Sequence, residues 1–224
     1  MLYTHDGKEF EAYVARPQGE GPRLAVLVFH AWAGRSAFEC ARADALAQLG
    51  FIGIAVDLYG KGLLGRNNQE NAELMQPLLD DRLLLRARIR AAYQASLQLE
   101  GVSQTAAIGY CFGGLCALDA ARINLGVSAV VSFHGNLTPY SATGPIHARI
   151  LVLHGYQDLL VSQQAVTACM QEFDTHARDW QLHQFGQAEH SFTNPDLQKS
   201  PLLYHALSDA RSWRLMRQFL LELV

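Results

Sequence analysis

Three residues of the types that make a hydrolytic triad occur in the order nucleophile, acid, histidine: Cys111, Asp158 and His190. Cys111 stands in Gly109-Tyr110-Cys111-Phe112-Gly113-Gly114, between a strand-like run (TAAIG) and an Ala-rich helical segment (FGGLCALDAA). This is the G-x-nucleophile-x-G pattern of a sharp strand-to-helix turn, with Cys where Ser is usual. Such a turn strains the central residue, and its neighbours two positions away must lack side chains to avoid a collision. The N-terminus of the following helix then favours a thiolate and, later, an oxyanion. A thiol with a reference pKa of roughly 8.5 is only a few per cent ionised at neutral pH, so it needs a base. His190, in Glu189-His190-Ser191-Phe192, suits that role, and Asp158, in Gly155-Tyr156-Gln157-Asp158, would orient its imidazole.

Each of these residues has an ordinary structural alternative: a packed thiol in a glycine turn, a turn or cap carboxylate, a surface histidine. Their joint order, each just past an apolar run, favours the triad. His30, His134 and His154 also end apolar runs and could line the same cleft. His134, before Gly135, reads as a substrate contact, whereas His154, before Gly155, reads as serving its turn. Asp119 lies inside the helix after Cys111, too far along to orient His190. Asp57 precedes the nucleophile and reads as fixing the Leu58-Tyr59 loop.

The elements that must position these residues follow from an alternation of short apolar runs with longer helical patterns. Strands are expected over 10–15, 24–30, 51–56, 105–109, 127–133, 150–153 and 180–185. Helices are expected over 36–48, 112–124, 162–173 and 203–223, with a helical stretch over 70–99 interrupted at Pro77. In that stretch Leu83, Leu84, Ile89, Ala92, Tyr93 and Leu97 form one apolar face, and Asp80, Asp81, Arg82, Arg86, Arg88 and Arg90 read mostly as a solvated one. The strands are continuously apolar rather than alternating. That predicts an α/β fold with a mostly parallel central sheet flanked by helices, and ligands beyond the strands' carboxyl ends.

Composition narrows the function classes. The chain has 224 residues, 50% of them hydrophobic and 17% charged, which suits one α/β domain over 1–224 without disordered tails. The net charge of −3 is spread along the chain, and no Lys/Arg run points to nucleic acid. No apolar run is long enough to span a bilayer, and MLYTHDGKEF lacks the apolar centre of a signal peptide. A cytoplasmic protein, monomeric or weakly dimeric, is expected. Its four cysteines, Cys40, Cys111, Cys116 and Cys169, show neither a CxxC pair nor zinc spacing. No metal site is expected, and Cys40, Cys116 and Cys169 read as small buried hydrophobes.

Taken together, HAWAG at 30–34, DLYG at 57–60, IGYCFGG at 108–114, SFHG at 132–135, LHGYQD at 153–158 and AEHSF at 188–192 resemble the dienelactone hydrolase family of α/β-hydrolases. The resemblance covers nearly the whole chain. It implies hydrolysis of a small carboxylic ester or lactone at Cys111, through a thioester, with Asp158 and His190 completing the triad and no cofactor. The oxyanion is expected on the backbone N–H groups of Trp32 and Phe112. Family members carry a Glu in the first strand–helix loop that gates the thiol, and Ala31 stands there in this chain. Where the family has a carboxylate-binding Arg four residues after the catalytic His, this chain has Asn194; the candidate for its second such Arg is Arg82. An anionic dienelactone is therefore not the obvious substrate, and a neutral or differently charged ester or lactone stands beside it; a Cys111–His190 pair more permanently ionised than is usual in the family is also expected. Two further readings are a non-hydrolytic ligand-binding or thiol redox-sensing protein on the same fold, and an acyl-transferring or peptide-cleaving hydrolase.

Overall fold

The computed structural model describes residues 1–140 and 144–224. In chain order its elements are β1 (Leu2–His5), β2 (Lys8–Glu11), β3 (Tyr13–Ala15), β4 (Arg23–Phe29), α1 (Ala37–Gln48), β5 (Ile52–Val56), α2 (Asn68–Asp80), α3 (Arg82–Ser96) and β6 (Val102–Tyr110). Then follow α4 (Phe112–Arg122), β7 (Ala129–Phe133), β8 (Arg149–Gly155), α5 (Gln163–His176), β9 (Trp180–Phe185), β10 (Gln198–Lys199), β11 (Leu202–Leu203) and α6 (Ala206–Leu221).

The apolar runs form buried strands because both of their faces are covered. In β4, Leu24, Val26 and Val28 point to one layer, where they meet Leu46 of α1 and Met216, Phe219 and Leu220 of α6. Ala25, Leu27 and Phe29 point to the other, with Leu85 and Ile89 of α3, Leu115 and Leu118 of α4, and Val166 and Phe173 of α5. The same two-residue alternation divides Val130 from Val131 in β7 and Val152 from Leu153 in β8, as a pleated strand between two helical layers requires.

These strands form one seven-stranded sheet in the order β3-β5-β4-β6-β7-β8-β9, parallel throughout except for the antiparallel edge strand β3. From β4 the chain winds outward through α1 to β5, and from β6 it winds the other way. The β4/β6 boundary is therefore the switch point at whose carboxyl end an open α/β sheet forms its crevice. Strand ends there are nearly level: Phe29 pairs with Gly109, Tyr110 with Phe133, Phe133 with Leu153, and Gly155 with Phe185.

Several boundaries differ from expectation. The expected strand over 10–15 is two strands in different sheets. Phe10 and Glu11 close a hairpin with β1, Ala12 gives its N–H to Met1, and Tyr13–Ala15 join β5. The helical stretch breaks at Asp81 rather than at Pro77, which lies inside α2. Asp81 takes φ −114° and ψ 84° and accepts the Leu84 N–H at 2.9 Å, so a side-chain cap decides the break. Residues 202–203 form β11 instead of starting the last helix. The solvated face of α3 is also corrected: Leu83 is exposed, whereas Arg86 is buried and Arg82 and Arg88 are partly so.

Candidate active site

Cys111 joins β6 to α4 with φ 55° and ψ −113°, a conformation that costs a non-glycine residue on the order of 1–3 kcal/mol. Three backbone hydrogen bonds hold it there. The Cys111 N–H reaches Phe133 O at 3.1 Å, and its carbonyl accepts from Gly114 at 3.0 Å and Asn136 at 3.3 Å. A Cβ on Gly109 would fall 1.9 Å from Gly113 O, and one on Gly113 would fall 2.1 Å from Phe29 O. The flanking glycines are thus required by the close approach of the helix to β6 and β4.

Asp158 and His190 come from the turns after β8 and β9, which are tied together. Tyr156 N–H donates to Phe185 O and Gln157 N–H to Ala188 O, both at 3.0 Å. Asp158 uses its two oxygens differently. Oδ2 lies 2.8 Å from His190 Nδ1, whereas Oδ1 accepts Leu160 N–H at 2.8 Å and Val161 N–H at 3.1 Å. The other ring nitrogen of His190, Nε2, is buried, and His190 interacts with the side chain of Cys111, with which it shares a cavity wall.

Electrostatics in this cluster single out one histidine. Burial alone would lower the pKa of His190, but the negative charge of Cys111 and the Asp158 hydrogen bond outweigh it and raise it to about 10. Burial would raise Asp158, yet the His190 hydrogen bond and charge, with the Leu160 N–H, bring it below the usual carboxylate range. His134 is held well below the ordinary imidazole value by burial and by the charge of His190, and His154 is lowered mainly by burial. Of these three, only His190 is set to carry a proton at neutral pH.

The loop after β4 is clamped from two sides. Glu39, buried on α1, accepts the N–H of Ala31 at 3.1 Å through Oε1, and Oε2 takes the Ser36 N–H at 2.9 Å and hydroxyl at 2.6 Å. Tyr59 donates its hydroxyl to Trp32 O at 2.9 Å, while Asp57 holds Tyr59 N–H and Gly60 N–H at 2.9 Å each. The Trp32 N–H lies between these two anchors. Phe112 is the first residue of α4, where an N–H has no carbonyl partner within the helix. Glu39 is absent from the sequence reading, although Ser36-Ala37-Phe38-Glu39 has the S-x-x-E spacing of a capping box.

The other expected contacts fare differently. His134 is buried, its Nε2 2.8 Å from Thr193 Oγ1 and its ring centroid 5.3 Å from that of His190. It lines a second cavity of about 250 Å3 together with Trp32, Tyr110, Ser191 and Asn194. Asn194 shapes its own turn there, with Oδ1 accepting the Asp196 N–H at 3.0 Å. Arg82 is not brought to the site. Its guanidinium makes a two-pronged pair with Asp119 at 2.7 and 2.9 Å, and Arg86 and Arg122 bind the same carboxylate. His154 lies within β8 rather than in a turn, its Nδ1 4.0 Å from Asp158 Oδ2. His30 is occupied by backbone: Nδ1 faces Ala31 O at 2.6 Å and Nε2 accepts from Leu58 N–H at 3.2 Å.

The cavity that exposes Cys111 and His190 has a volume of about 380 Å3, with Phe112, Asn136 and a set of aliphatic side chains around it. Among the described residues, neither this cavity nor the second one is lined by Lys or Arg. Cys116 and Cys169 are buried free thiols, and burial pushes Cys169 up to about 12. No group of three His, Cys, Asp or Glu among the described residues could hold a metal, and no helix among them is long and apolar enough to cross a membrane.

A sequence model of the dienelactone hydrolase family matches residues 10–224. The chain belongs to the dienelactone hydrolase family. It is accordingly a hydrolase of the carboxylic ester and lactone class, with that family's α/β fold. A solved structure titled m3DLH is 36% identical with a TM-score of 0.92, covering 97% of this chain and 94% of that one. A second, described as a dienelactone hydrolase-like promiscuous phosphotriesterase from metagenomic libraries, is 35% identical with a TM-score of 0.94, covering 99% and 95%. A Yersinia pestis protein named, by inference, a carboxymethylenebutenolidase is 27% identical over 224 residues, 94% of this chain and 82% of that one.

Proposed function

We propose that this family member hydrolyses small neutral carboxylic esters or lactones, with Cys111 as nucleophile, His190 as acid–base and Asp158 as the residue orienting His190. The observation carrying this reading is the 2.8 Å contact of Asp158 Oδ2 with His190 Nδ1, which leaves Nε2 as the ring atom for the side chain of the strained Cys111. His190 takes the thiol proton, and the Cys111 thiolate adds to the ester carbonyl. The tetrahedral oxyanion is held by the N–H groups of Trp32 and Phe112; losing one such donor costs about 3 kcal/mol in comparable enzymes. Collapse expels the alcohol, which receives the proton from His190. Water then attacks the thioester, giving its proton to His190, and the carboxylic acid leaves as the thiol is restored. The raised pKa of His190 means that, once Cys111 has given up its proton, the ring holds it at neutral pH, at a site whose first loop carries Ala31 instead of a competing carboxylate. Such a thiol calls for a reducing compartment such as the cytoplasm.

Neutrality of the substrate is supported by the two cavities, which among the described residues are lined by no Lys or Arg, and by Arg82 being held by Asp119. The same neutrality would admit a phosphotriester, the substrate class named for one structural relative. The deciding experiment is rapid mixing with p-nitrophenyl acetate. A burst of p-nitrophenol is expected, retained in Cys169→Ala and abolished in Cys111→Ala. Steady hydrolysis unaffected by Cys111→Ala would remove Cys111 from the reaction.

A further inference from the structure

Away from Cys111 and His190, the walls of the 380 Å3 cavity are mainly aliphatic, with Asn136, Thr138 and Ser162 among them, and the aliphatic side chains come from four separate places. Met75 and Leu79 come from α2, Leu137 from the segment after β7, Leu160 and Val161 from the loop after β8, and Ala165 from α5. The polar side chains among them have their oxygens engaged within the protein. Asn136 Oδ1 accepts from Thr138 N–H at 2.9 Å and from its hydroxyl at 2.6 Å, and Ser162 Oγ caps α5 by accepting Ala165 N–H at 3.2 Å. At the rim, Leu159 and Leu160 are 75% and 60% exposed, an apolar lip facing water. That lip is fixed, because the Leu160 and Val161 N–H groups are both bound to Asp158 Oδ1. Exposed aliphatic surface beside a cavity marks a ligand site more often than a random surface does.

We infer that this cavity takes an apolar substituent of the substrate, an aliphatic chain or aryl ring, so that the enzyme selects hydrophobic neutral esters over short polar ones. The inference rests on the proposed reaction at Cys111, and adds which part of the substrate the protein reads. Apolar substituents reach the cavity from either side of the scissile bond, and two substrate series separate the acyl source from the alcohol source. The first is p-nitrophenyl acetate, butyrate and hexanoate; the second is methyl, butyl and benzyl acetate followed by pH-stat.

At full burial each added methylene is worth roughly a fourfold gain in kcat/KM. The butyrate, two methylenes longer than the acetate, is therefore expected to exceed it by up to about 15-fold, and the butyl ester, three longer than the methyl ester, by up to about 60-fold. Ala165→Phe, which fills the cavity, and Leu160→Gln, at an exposed position where folding is tolerant, are each expected to flatten the rising series. A flat or falling trend in both series overturns the inference, as does a rise that persists unchanged in both variants. The proposed reaction fails separately, through the Cys111→Ala measurement, since a flat series abolished by that substitution leaves the nucleophile intact.

Discussion

His190 concentrates the electrostatics of the site in one ring. Its pKa of about 10 is built against burial, with the charge of Cys111 as the largest raising influence and the Asp158 contact next. Removing the Cys111 charge leaves burial less opposed, so the His190 value should fall in Cys111→Ala. Titration of the ring by nuclear magnetic resonance checks this: the wild-type ring should stay protonated through pH 8, and the variant should titrate at lower pH. An unchanged titration would mean that Asp158 alone sustains the charge. At this scale the meeting of Asp158 with His190, and of His190 with Cys111 on one cavity wall, was legible, because chain order and strand ends bring these residues to one edge of the sheet. Glu39 was not, since its carboxylate does two jobs at once. It closes the start of α1, which the Ser36–Glu39 spacing suggests, and it also ties the Ala31 N–H, which only the fold brings near.

Helices α3 and α4 show where a sequence pattern misleads. The arginines of α3 fall on the polar side of an amphipathic helix, yet Arg82 and Arg86 turn inward to Asp119 on α4, 37 and 33 residues away. No local signal in α3 identifies that partner. The buried Asp119 is opposed by burial but drawn below the usual carboxylate range by Arg82, Arg122 and Arg86. Its contribution to stability is therefore full above the ordinary carboxylate pKa and is lost as the pH falls through the depressed one. Arg82→Ala should lower the unfolding free energy by about 1.5–3 kcal/mol, the range for a hydrogen bond to a charged group. The KM for a neutral ester should stay at the wild-type value. Denaturant unfolding with parallel kinetics separates this from a substrate-binding role, which would raise KM and leave stability alone. The Pro77 expectation failed for a related reason: the Asp81 side chain, by capping Leu84, sets the break four residues later.

At the scale of the whole molecule, the sheet's central strands were legible because each is apolar on both faces, and the chemistry follows from their order. The switch between β4 and β6 sets the end of β4 at Phe29 beside Gly109, and the level carboxyl ends of β6, β8 and β9 bring the turns that carry Cys111, Asp158 and His190 to one edge. The short hairpins β1–β2 and β10–β11 were not legible, because two to four half-exposed residues give no periodicity to read. The net charge is −3 and no Lys or Arg lines either cavity among the described residues, so the proposed neutral substrate implies an association that charge does not steer. The kcat/KM for a neutral ester should change by less than about twofold between low and physiological salt. A steep fall with added salt would reveal an attractive field and a charged substrate.

The divided use of Asp158 restricts how such an enzyme can be retuned. One oxygen contacts His190 and the other folds the lip formed by Leu160 and Val161. On the proposed reaction, replacing this acid should alter substrate fit as well as reactivity, so that a damaged variant's rate alone does not separate the two causes. Met75, Leu79 and Ala165 form the opposite boundary on helices with no bond to Asp158. Variation in the size of the accepted group has an open route through those helices, while the lip stays tied to the catalytic chemistry.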